Sequence, residues 1–327
     1  MTTMTAAAFG IVAMLTGAFC SAVPAGAAQP HWPAPLVIGT ASPGGTYAVY
    51  GEGLARILTR DLGTPVNTRS TEGPSQNIML LENGEVHIGF VTTGAALQAW
   101  NGTGPWTGGK EFRSMSVMFP MYDTPFQFMA FEEANVRTIA DLAGKRIGAG
   151  PQAGTAGTYV PEILKTLKVE ATISHGDWAE LADRMQRREI DALAVAAGVP
   201  FPSFAELEAR NKVRYIPLTP DQIVALRLAM PELTPSVVPA GSYPSLRGNY
   251  QTVGLYNFAV AHRDLPIDLV YQIVRTVFTR HEELVEVHPA AAATVPGNFG
   301  RNTFLPFHPG AARYFEEIGA AGIVLAD

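Results

Sequence analysis

A glycine-rich turn near the start of the chain has the residue types and spacing of an anion-binding loop. Residues 39–46 read Gly-Thr-Ala-Ser-Pro-Gly-Gly-Thr and lie between the apolar run 36–38 and an amphipathic helical pattern. A strand, a glycine turn and a helix start together present main-chain N–H groups to an anion. The spacing resembles a phosphate-binding P-loop, except that Gly45 stands where the lysine belongs. A nucleoside triphosphate is therefore disfavoured, and a smaller anion such as a carboxylate is favoured.

Two later segments repeat this chemistry. Residues 70–77 read Ser-Thr-Glu-Gly-Pro-Ser-Gln-Asn, and residues 154–158 read Gly-Thr-Ala-Gly-Thr. Each lies between a strand pattern and a helical pattern. Ser75 is equally well explained as a simple N-cap, and the third turn has the same ambiguity, so both interpretations stay open. The recurrence of three such turns favours a binding site, because each capping-type contact contributes about 0.5–2 kcal/mol.

Other side chains near these turns are candidates for ligand contacts. Tyr47 follows the first turn directly and has a hydroxyl that can donate to a ligand. Arg69, on the strand before the second turn, is a candidate ion-pair partner for a carboxylate if it faces the site. It shares a strand face with Thr71, and which face that is stays open. Thr92, at the end of the third predicted strand, completes this set.

Catalytic patterns are poorly represented. The chain has neither a G-x-S-x-G elbow nor an H-E-x-x-H motif, and its seven histidines include no i, i+4 pair. Its only cysteine, Cys20, lies in the N-terminal segment. We therefore expect no enzyme activity, no cofactor and no metal site. A net charge of −6 without a basic cluster argues against nucleic-acid binding.

The pattern along the chain predicts an α/β protein with two lobes. Predicted strands cover 36–41, 66–71, 87–92, 113–119, 127–131, 146–149, 171–174, 192–196, 214–218 and 255–261. Predicted helices cover 46–61, 75–83, 94–100, 155–167, 178–188, 220–229, 266–287 and 310–318. The proline-rich stretch 231–244 is predicted to be an irregular connection. Alternating strands and helices indicate mostly parallel sheets flanked by helices. The strand–turn–helix unit at 36–61 recurs at 146–167, which predicts a cleft that both lobes share.

The first 28 residues resemble a secretory signal peptide. They contain a short apolar stretch, 6–20, followed by small residues that offer cleavage sites. The segment before this stretch carries no Lys or Arg, and an uncleaved membrane anchor is the alternative. We therefore predict a signal peptide at 1–28, the first part of lobe 1 at 29–122, lobe 2 at 123–252, and a return to lobe 1 at 253–327. The predicted location is the periplasm.

The order of these motifs resembles the TAXI family of solute receptors, which belong to TRAP transporters. Residues 42–47, Ser-Pro-Gly-Gly-Thr-Tyr, look like the opening motif of that family, and 70–77 are similar to its S-T-x-G-S-x-x-N segment. The likeness continues in order through 80–89, 141–145, 150–158 and 190–200, then 264–271 and 308–311. The resemblance covers most of the chain after the predicted signal peptide.

This resemblance implies a type II-like, two-lobed periplasmic binding protein that closes on a small carboxylate, such as glutamate or 2-oxoglutarate. The protein would deliver the ligand to a membrane permease and act as a monomer. The ligand-binding residues that it implies are Gly44, Gly45, Thr46, Tyr47, Thr71, Gly73, Ser75, Asn77, Gly154, Thr155, Ala156, Gly157, Gly198 and Pro200. Glu72 and Pro74 replace usually small residues, and the charge of Glu72 puts a dicarboxylate in doubt. An enzyme on the same scaffold, with His175 in the cleft, and a receptor for a sensor kinase stay open as alternatives.

Overall fold

The computed structural model describes residues 29–320. The predicted signal peptide, 1–28, and residues 321–327 lie outside this range. The strands are β1 (Leu36–Gly39), β2 (Val66–Arg69), β3 (Ile88–Thr92), β4 (Met115–Phe131), β5 (Arg146–Gly148), β6 (Thr172–Ser174), β7 (Ala192–Ala196), β8 (Val213–Tyr215), β9 (Thr234–Val238) and β10 (Tyr250–His262). The α-helices are α1 (Thr46–Leu62), α2 (Pro74–Glu82), α3 (Thr93–Asn101), α4 (Thr155–Thr166), α5 (Trp178–Gln186), α6 (Pro202–Arg210), α7 (Pro220–Ala229), α8 (Ile267–Thr279), α9 (His281–Val287) and α10 (Pro309–Glu317).

The strands form one continuous mixed sheet in the order β2-β1-β3-β10-β4-β7-β5-β6, with β8 and β9 paired to β4 and β10. The outer strands pair in parallel, as βαβ units require, and β10 and β4 run antiparallel at the centre. The predicted α/β class is therefore confirmed, but the sheet is mixed rather than mostly parallel. The two long central strands are the reason, because each pairs antiparallel with its neighbours on both sides.

Two hydrophobic cores divide the molecule into two lobes. The first core contains residues between Leu36 and Tyr122 and between Tyr256 and Phe315, and the second contains residues between Phe126 and Leu255. β4 and β10 each contribute one end to the first core and the other end to the second. The predicted lobe boundaries, 122/123 and 252/253, fall on these two strands and stay predictions.

Most predicted elements form within a few residues of their predicted limits, with four exceptions. The two strands predicted at 113–119 and 127–131 are parts of the single strand β4. The helix predicted at 266–287 is interrupted at Arg280. The helix α6 was not predicted, and β9 lies inside the stretch that was predicted to be irregular.

Prolines explain three of these differences. Pro120 and Pro125 lie within β4, where a proline normally argues against a strand. Within residues 29–320, no strand pairs with the second edge of β4 between 118 and 125, so a missing N–H is tolerated there. Pro202 occupies the first turn of α6, where its fixed φ suits a helix start. Pro235 lies in β9, which is an edge strand.

Candidate ligand-binding site

A cavity of about 50 Å³ lies between the two lobes. One water molecule needs about 10–15 Å³ by this measure, so the cavity has room for a small organic molecule. Its walls come from both cores and from both central strands. The lining residues are Ala41, Gly45, Thr46, Tyr47, Glu72, Gly73, Pro74, Thr92, Tyr122, Thr124, Ala149, Pro151, Gly154, Thr155, Ala156, Trp178, Ala196, Ala197, Gly198, Phe201 and Asn257.

The N-terminal ends of six helices, α1 to α6, contribute to this wall. Three of these helices, α1, α2 and α4, begin after the N-cap glycines Gly45, Gly73 and Gly154, which provide no side-chain cap. The first N–H groups of a helix have no intrahelical partner, and here no side chain of the N-cap residue competes for them. Two of the three helices belong to the first lobe and the third belongs to the second. The turns around 43–47 and 153–157 therefore meet at one cavity rather than on opposite surfaces.

The cavity has no cationic side chain. No Lys, Arg or His is among the lining residues, and Glu72 is the only residue there with a formal charge. The positive potential inside comes from the helix N-termini, each of which carries roughly half an elementary charge. Glu72 is itself exposed, and its carboxylate accepts a hydrogen bond from the main-chain N–H of Ala153 at 3.3 Å. This contact joins the second turn to the third across the two lobes.

The base of the cavity lies at an irregularity between the two central strands. Two residues of β4, Met121 and Tyr122, lie opposite the single residue Asn257 of β10. Such a bulge bends the strand and redirects its side chains. Tyr122 and Asn257 both line the cavity. The bulge therefore brings two strand residues to the point where the lobes meet.

Asn257 organises the hydrogen bonds at this point. Its amide nitrogen donates to the main-chain oxygen of Tyr122 at 2.7 Å and to the hydroxyl of Thr124. Its amide oxygen accepts from the hydroxyl of Tyr47 at 2.5 Å. Both amide hydrogens of Asn257 are thus used, and the hydroxyl proton of Tyr47 is committed to its amide oxygen. Burial raises the pKa of Tyr47 well above its ordinary value, so the phenol stays protonated and donates.

The hydroxyl of Tyr122 is buried without a hydrogen-bond partner among the described residues. The residue is 2% exposed, and burial raises the pKa of its phenol well above the ordinary value. A Cβ placed on Gly198, another lining residue, would lie 2.8 Å from Cε2 of this ring, next to the carbon that carries the hydroxyl. An unpaired buried hydroxyl costs free energy, and this hydroxyl oxygen is itself enclosed by protein atoms.

The two lobes touch closely around the cavity. The hydroxyl of Thr46 donates to the main-chain oxygen of Gly198 at 3.1 Å, and the hydroxyl of Ser203 donates to that of Gly44 at 3.0 Å. A Cβ on Gly73 would lie 3.0 Å from Cα of Gly154. Gly73 has a φ of +130°, which also requires glycine. The structure therefore represents a closed arrangement of the lobes.

Several residues predicted from the sequence come together at this cavity. They are Gly45, Thr46, Tyr47, Gly73, Thr92, Gly154, Thr155, Ala156 and Gly198. The other predicted residues, Gly44, Arg69, Thr71, Ser75, Asn77, Gly157 and Pro200, are not among the lining residues.

Thr71 and Asn77 hold the first turn in place from below. The amide nitrogen of Asn77 donates to the main-chain oxygens of Thr40 and Phe90 at 2.8 and 2.9 Å, and its amide oxygen accepts from Thr71 at 2.8 Å. Asn77 is completely buried. These two side chains position the turn and do not face the cavity.

The remaining residues have structural contacts. Gly157 lies so close to the turn before α4 that a Cβ would approach the main-chain oxygen of Pro151 to 2.2 Å. The main-chain oxygen of Pro200 accepts a hydrogen bond from Nε2 of His288 at 3.0 Å. Gly44 has a φ of +82° and packs against Ser203.

Arg69 does not face the cavity. Its guanidinium is exposed and pairs with the carboxylate of Glu85 at 3.0 Å. The strand β2 is the edge strand of the sheet, and its side chains from 67 to 69 are exposed. The suggested role of Arg69 as the ion-pair partner of a ligand is therefore corrected.

The sequence reasoning missed the lining residues on the central strands and on the second lobe. Tyr122, Thr124 and Asn257 lie within long strands, and no local motif marks them. Trp178, the first residue of α5, lines the cavity and also packs edge-to-face on Phe201. A signal does exist for Tyr122, because the predicted boundary between lobe 1 and lobe 2 falls directly after it, at 122/123.

The residue that would favour an enzyme lies outside the cavity. Nδ1 of His175 contacts the main-chain oxygen of Gly150 at 3.1 Å, and His175 is not among the lining residues. Residues 29–320 contain no group of three or more His, Cys, Asp or Glu side chains that could hold a metal ion. In the same range, no helix is both long enough and apolar enough to span a membrane.

The two-lobed α/β fold is that of the periplasmic binding proteins. The chain aligns with the alkanesulfonate-binding protein SsuA from Xanthomonas axonopodis pv. citri bound to MOPS, with a TM-score of 0.51 and 18% identity over 87% of this chain and 84% of the other. It also aligns with the periplasmic binding protein BugD, with a TM-score of 0.58 and 13% identity over 89% and 95%. The alignment with MatC from Rhodopseudomonas palustris with bound malate has a TM-score of 0.58 and 12% identity over 86% of this chain and 98% of the other. At these identities the likeness shows the fold. Residues 38–319 match the NMT1-like family, and the chain belongs to that family.

Proposed function

We propose that this protein is an extracytoplasmic solute receptor of a TAXI-type TRAP transporter, which binds a small carboxylate between its lobes. The order of the sequence motifs supports the subfamily, and membership of the NMT1-like family and the two-lobed fold support the class. Glutamate and 2-oxoglutarate are the ligands that the resemblance to the TAXI family suggests.

The observation that carries this proposal is the convergence of three glycine-capped helix N-termini on one cavity without cationic side chains. A carboxylate in the cavity accepts hydrogen bonds from the first amides of α1 and α4, one helix from each lobe. Helix N-termini are well suited to anions. Because both lobes contact the same group, ligand binding stabilises the closed arrangement over an open one.

Two of the structural relatives are described with an anion bound. The structure of SsuA contains MOPS, a sulfonate, and that of MatC contains malate. The identities are low, so these ligands only support an anionic solute in general terms.

The other parts of the proposal concern location and partners. We expect a signal peptide at 1–28, a periplasmic location, a monomeric receptor, and transfer of the ligand from the closed form to a membrane permease. The alternative of a signalling partner is distinguished genetically, because a transport receptor is expected beside a gene for a large multi-span permease.

A thermal-shift screen of residues 29–327 tests the proposed binding. The protein is first unfolded and refolded to remove bound molecules and then screened against small carboxylates, amino acids and sulfonates. A ligand at about 100 times its dissociation constant raises the free energy of unfolding by about 2.7 kcal/mol. If no carboxylate raises the melting temperature of verified apo protein, the carboxylate proposal is wrong.

A further inference from the structure

The indole ring of Trp178 reaches from the second lobe to the first glycine turn. Residues of the second lobe hold the ring in place. It packs edge-to-face on Phe201 with the ring centroids 5.1 Å apart, and a Cβ on Gly150 would lie 2.4 Å from its Cζ2. The edge that carries Cδ1 and Nε1 faces the N-cap of α1, because a Cβ on Gly45 would lie 3.3 Å from Cδ1 and 3.8 Å from Nε1. A side-chain nitrogen of the second lobe therefore lies beside a helix start of the first lobe.

The indole N–H of Trp178 is a free hydrogen-bond donor. Among the described residues, Nε1 has no hydrogen-bond partner, and unlike the hydroxyl of Tyr122 it is not enclosed by protein atoms. Trp178 is nevertheless only 7% exposed, and it lines the cavity. Gly45, which the Nε1 edge of the ring faces, is also buried and also lines the cavity. We therefore assign the accessible surface of Nε1 to the cavity.

Most polar side chains of the cavity wall already have partners within the protein. The hydroxyl protons of Thr46 and Tyr47 are both donated to other residues of the wall. Among the lining residues, only Trp178 and Thr155 have a side-chain donor atom that is open and has no hydrogen-bond partner in the described part of the chain. Thr155 is the first residue of α4, so both open donors belong to the second lobe. The first lobe offers main-chain amides at the same cavity.

We propose that Trp178 binds the carboxylate held by the N-terminus of α1, by donating its indole N–H to a carboxylate oxygen. The inference rests on the proposed function, because it names a further ligand-contacting residue of the same cavity. The ring moves with the second lobe, whereas the amides of α1 move with the first. We expect the contact to break when the lobes open, so it favours the closed arrangement whenever a carboxylate is bound. Every carboxylic acid gains this bond, whatever the rest of its structure.

Replacing the indole N–H by sulfur tests this contact while the packing of the ring is kept. The replacement Trp178→benzothienylalanine, introduced by stop-codon suppression, retains the fused bicyclic ring but cannot donate. Refolded apo protein is titrated calorimetrically with propionate, pyruvate, glutamate and 2-oxoglutarate. For each acid that binds the wild-type protein, we expect the dissociation constant to rise about tenfold or more, because a hydrogen bond to a charged group is lost. The factor should agree within about twofold between acids, because their tails contribute independently of this contact.

Two controls separate binding from a structural role. The same replacement at Trp100 is the matched control, because Trp100 is not a lining residue and its ring packs on the guanidinium of Arg113 at 4.2 Å. It should leave every dissociation constant unchanged. In the absence of acid, the variant at Trp178 should unfold at the same urea concentration as the wild-type protein, because Nε1 has no hydrogen-bond partner among the described residues.

The outcomes separate the two proposals. If neither these acids nor any other carboxylate in the thermal-shift screen binds the wild-type protein, the proposed function fails and the inference fails with it. If acids bind the wild-type protein and the sulfur variant equally, the receptor function stands and the inference is overturned. A factor that differs from acid to acid would also overturn it, because Trp178 would then contact the variable part of the acid. A lower urea midpoint of the acid-free variant would do the same, because the N–H would then have a protein partner.

Discussion

Asn77 and Asn257 are both completely buried, and their amides organise two different parts of the same site. Asn257 connects the two central strands to Tyr47 and lines the cavity. Asn77 lies beneath the first glycine turn and satisfies two main-chain oxygens that would otherwise be unpaired. Asn77 belongs to the 70–77 segment that the sequence analysis singles out, whereas Asn257 lies in an ordinary strand pattern. Asn77, which the sequence motif identifies, supports the turn, and Asn257, which no motif identifies, lines the cavity.

Replacing Asn77 with alanine should therefore reduce stability. The main-chain oxygens of Thr40 and Phe90 would lose their donor, and an unsatisfied buried group costs about 1–3 kcal/mol. We expect Asn77→Ala to lower the free energy of unfolding in urea by about 2 kcal/mol. Asn83→Ala at the end of the same helix is the control, because Asn83 is exposed and should change stability by less than about 0.5 kcal/mol. Equal effects of the two variants would contradict the supporting role of Asn77.

His288 makes a second prediction at the scale of the residue. Its Nδ1 accepts the main-chain N–H of Ala290 at 3.1 Å, so Nε2 carries the proton that is donated to Pro200. Burial lowers the pKa of His288 below its ordinary value of 6.5. The unfolded chain therefore binds a proton at a higher pH than the folded protein, and acid favours unfolding.

We expect the free energy of unfolding to fall as the pH decreases below about 6.5, by up to about 1.4 kcal/mol per pH unit from this one residue. His288→Gln cannot take up the proton and should show a shallower decrease between about pH 7.5 and pH 5.5, even if it is less stable throughout. Burial also lowers the pKa values of His87 and His308, so these two residues add to the acid sensitivity that remains in the variant. Parallel pH profiles for the two proteins would exclude His288 as a source of acid sensitivity.

At the scale of the element, the N-terminus of α1 is open because its cap is glycine. An aspartate at this position would be a favourable cap, and its carboxylate would accept the amide hydrogens that the ligand needs. A Cβ on Gly45 would lie 3.3 Å from the main-chain oxygen of Ser42 and from Cδ1 of Trp178, so these neighbours must shift by a few tenths of an ångström in every variant with a side chain there.

The variants Gly45→Asp, Gly45→Asn and Gly45→Ala form a graded series. We expect Gly45→Asp to weaken carboxylate binding about 100-fold, which corresponds to about 2.7 kcal/mol. The aspartate carboxylate competes with the ligand for the same amide hydrogens and repels its negative charge. Gly45→Asn should weaken it less, and Gly45→Ala least, because alanine adds no acceptor. Dissociation constants from calorimetry give the series, and circular dichroism checks the fold. The same weakening in all three variants would mean that only the added volume matters.

The elements that surround the glycine turns could be predicted because their signals are local. Alternating polarity, glycine turns and helix starts define β1 with α1 and β5 with α4 within short stretches of sequence. The strands β4 and β10 could not be predicted in full. Pro120 and Pro125 argue against a strand locally, and only the pairing with β10 explains why they are tolerated. For the same reason Tyr122 and Asn257 were missed, because their meeting depends on a bulge between strands that are more than 100 residues apart in the sequence.

At the scale of the molecule, a few hydrogen bonds connect one lobe to the other around the cavity. Ser203 on α6 donates to Gly44 in the first glycine turn, and Thr46 on α1 donates to Gly198. We expect these bonds to break when the lobes open. They therefore contribute to ligand affinity through the equilibrium between open and closed forms, whether or not the residue touches the ligand.

Ser203→Ala tests this contribution because Ser203 is not a lining residue. One hydrogen bond contributes about 0.5–1.5 kcal/mol net, so we expect the dissociation constant of the ligand to rise about three- to tenfold. Ser70→Ala is the control, since the hydroxyl of Ser70 donates to Ala41 within the same lobe. If Ser203→Ala binds as tightly as the wild-type protein, closure does not depend on this contact.

The pairing of β4 with β10 determines how the molecule can open. These strands are hydrogen bonded to each other from Met115 to Pro125, so the lobes can neither slide past each other nor rotate independently. We therefore expect the lobes to open by bending of the paired strands β4 and β10 near their bulge. This movement would separate Glu72, at the edge of the cavity in the first lobe, from Ala153 in the second lobe. Under the proposed function, a permease that distinguishes the loaded from the empty receptor would have to contact both lobes at once, because opening changes the distance between the lobes rather than the fold of either one.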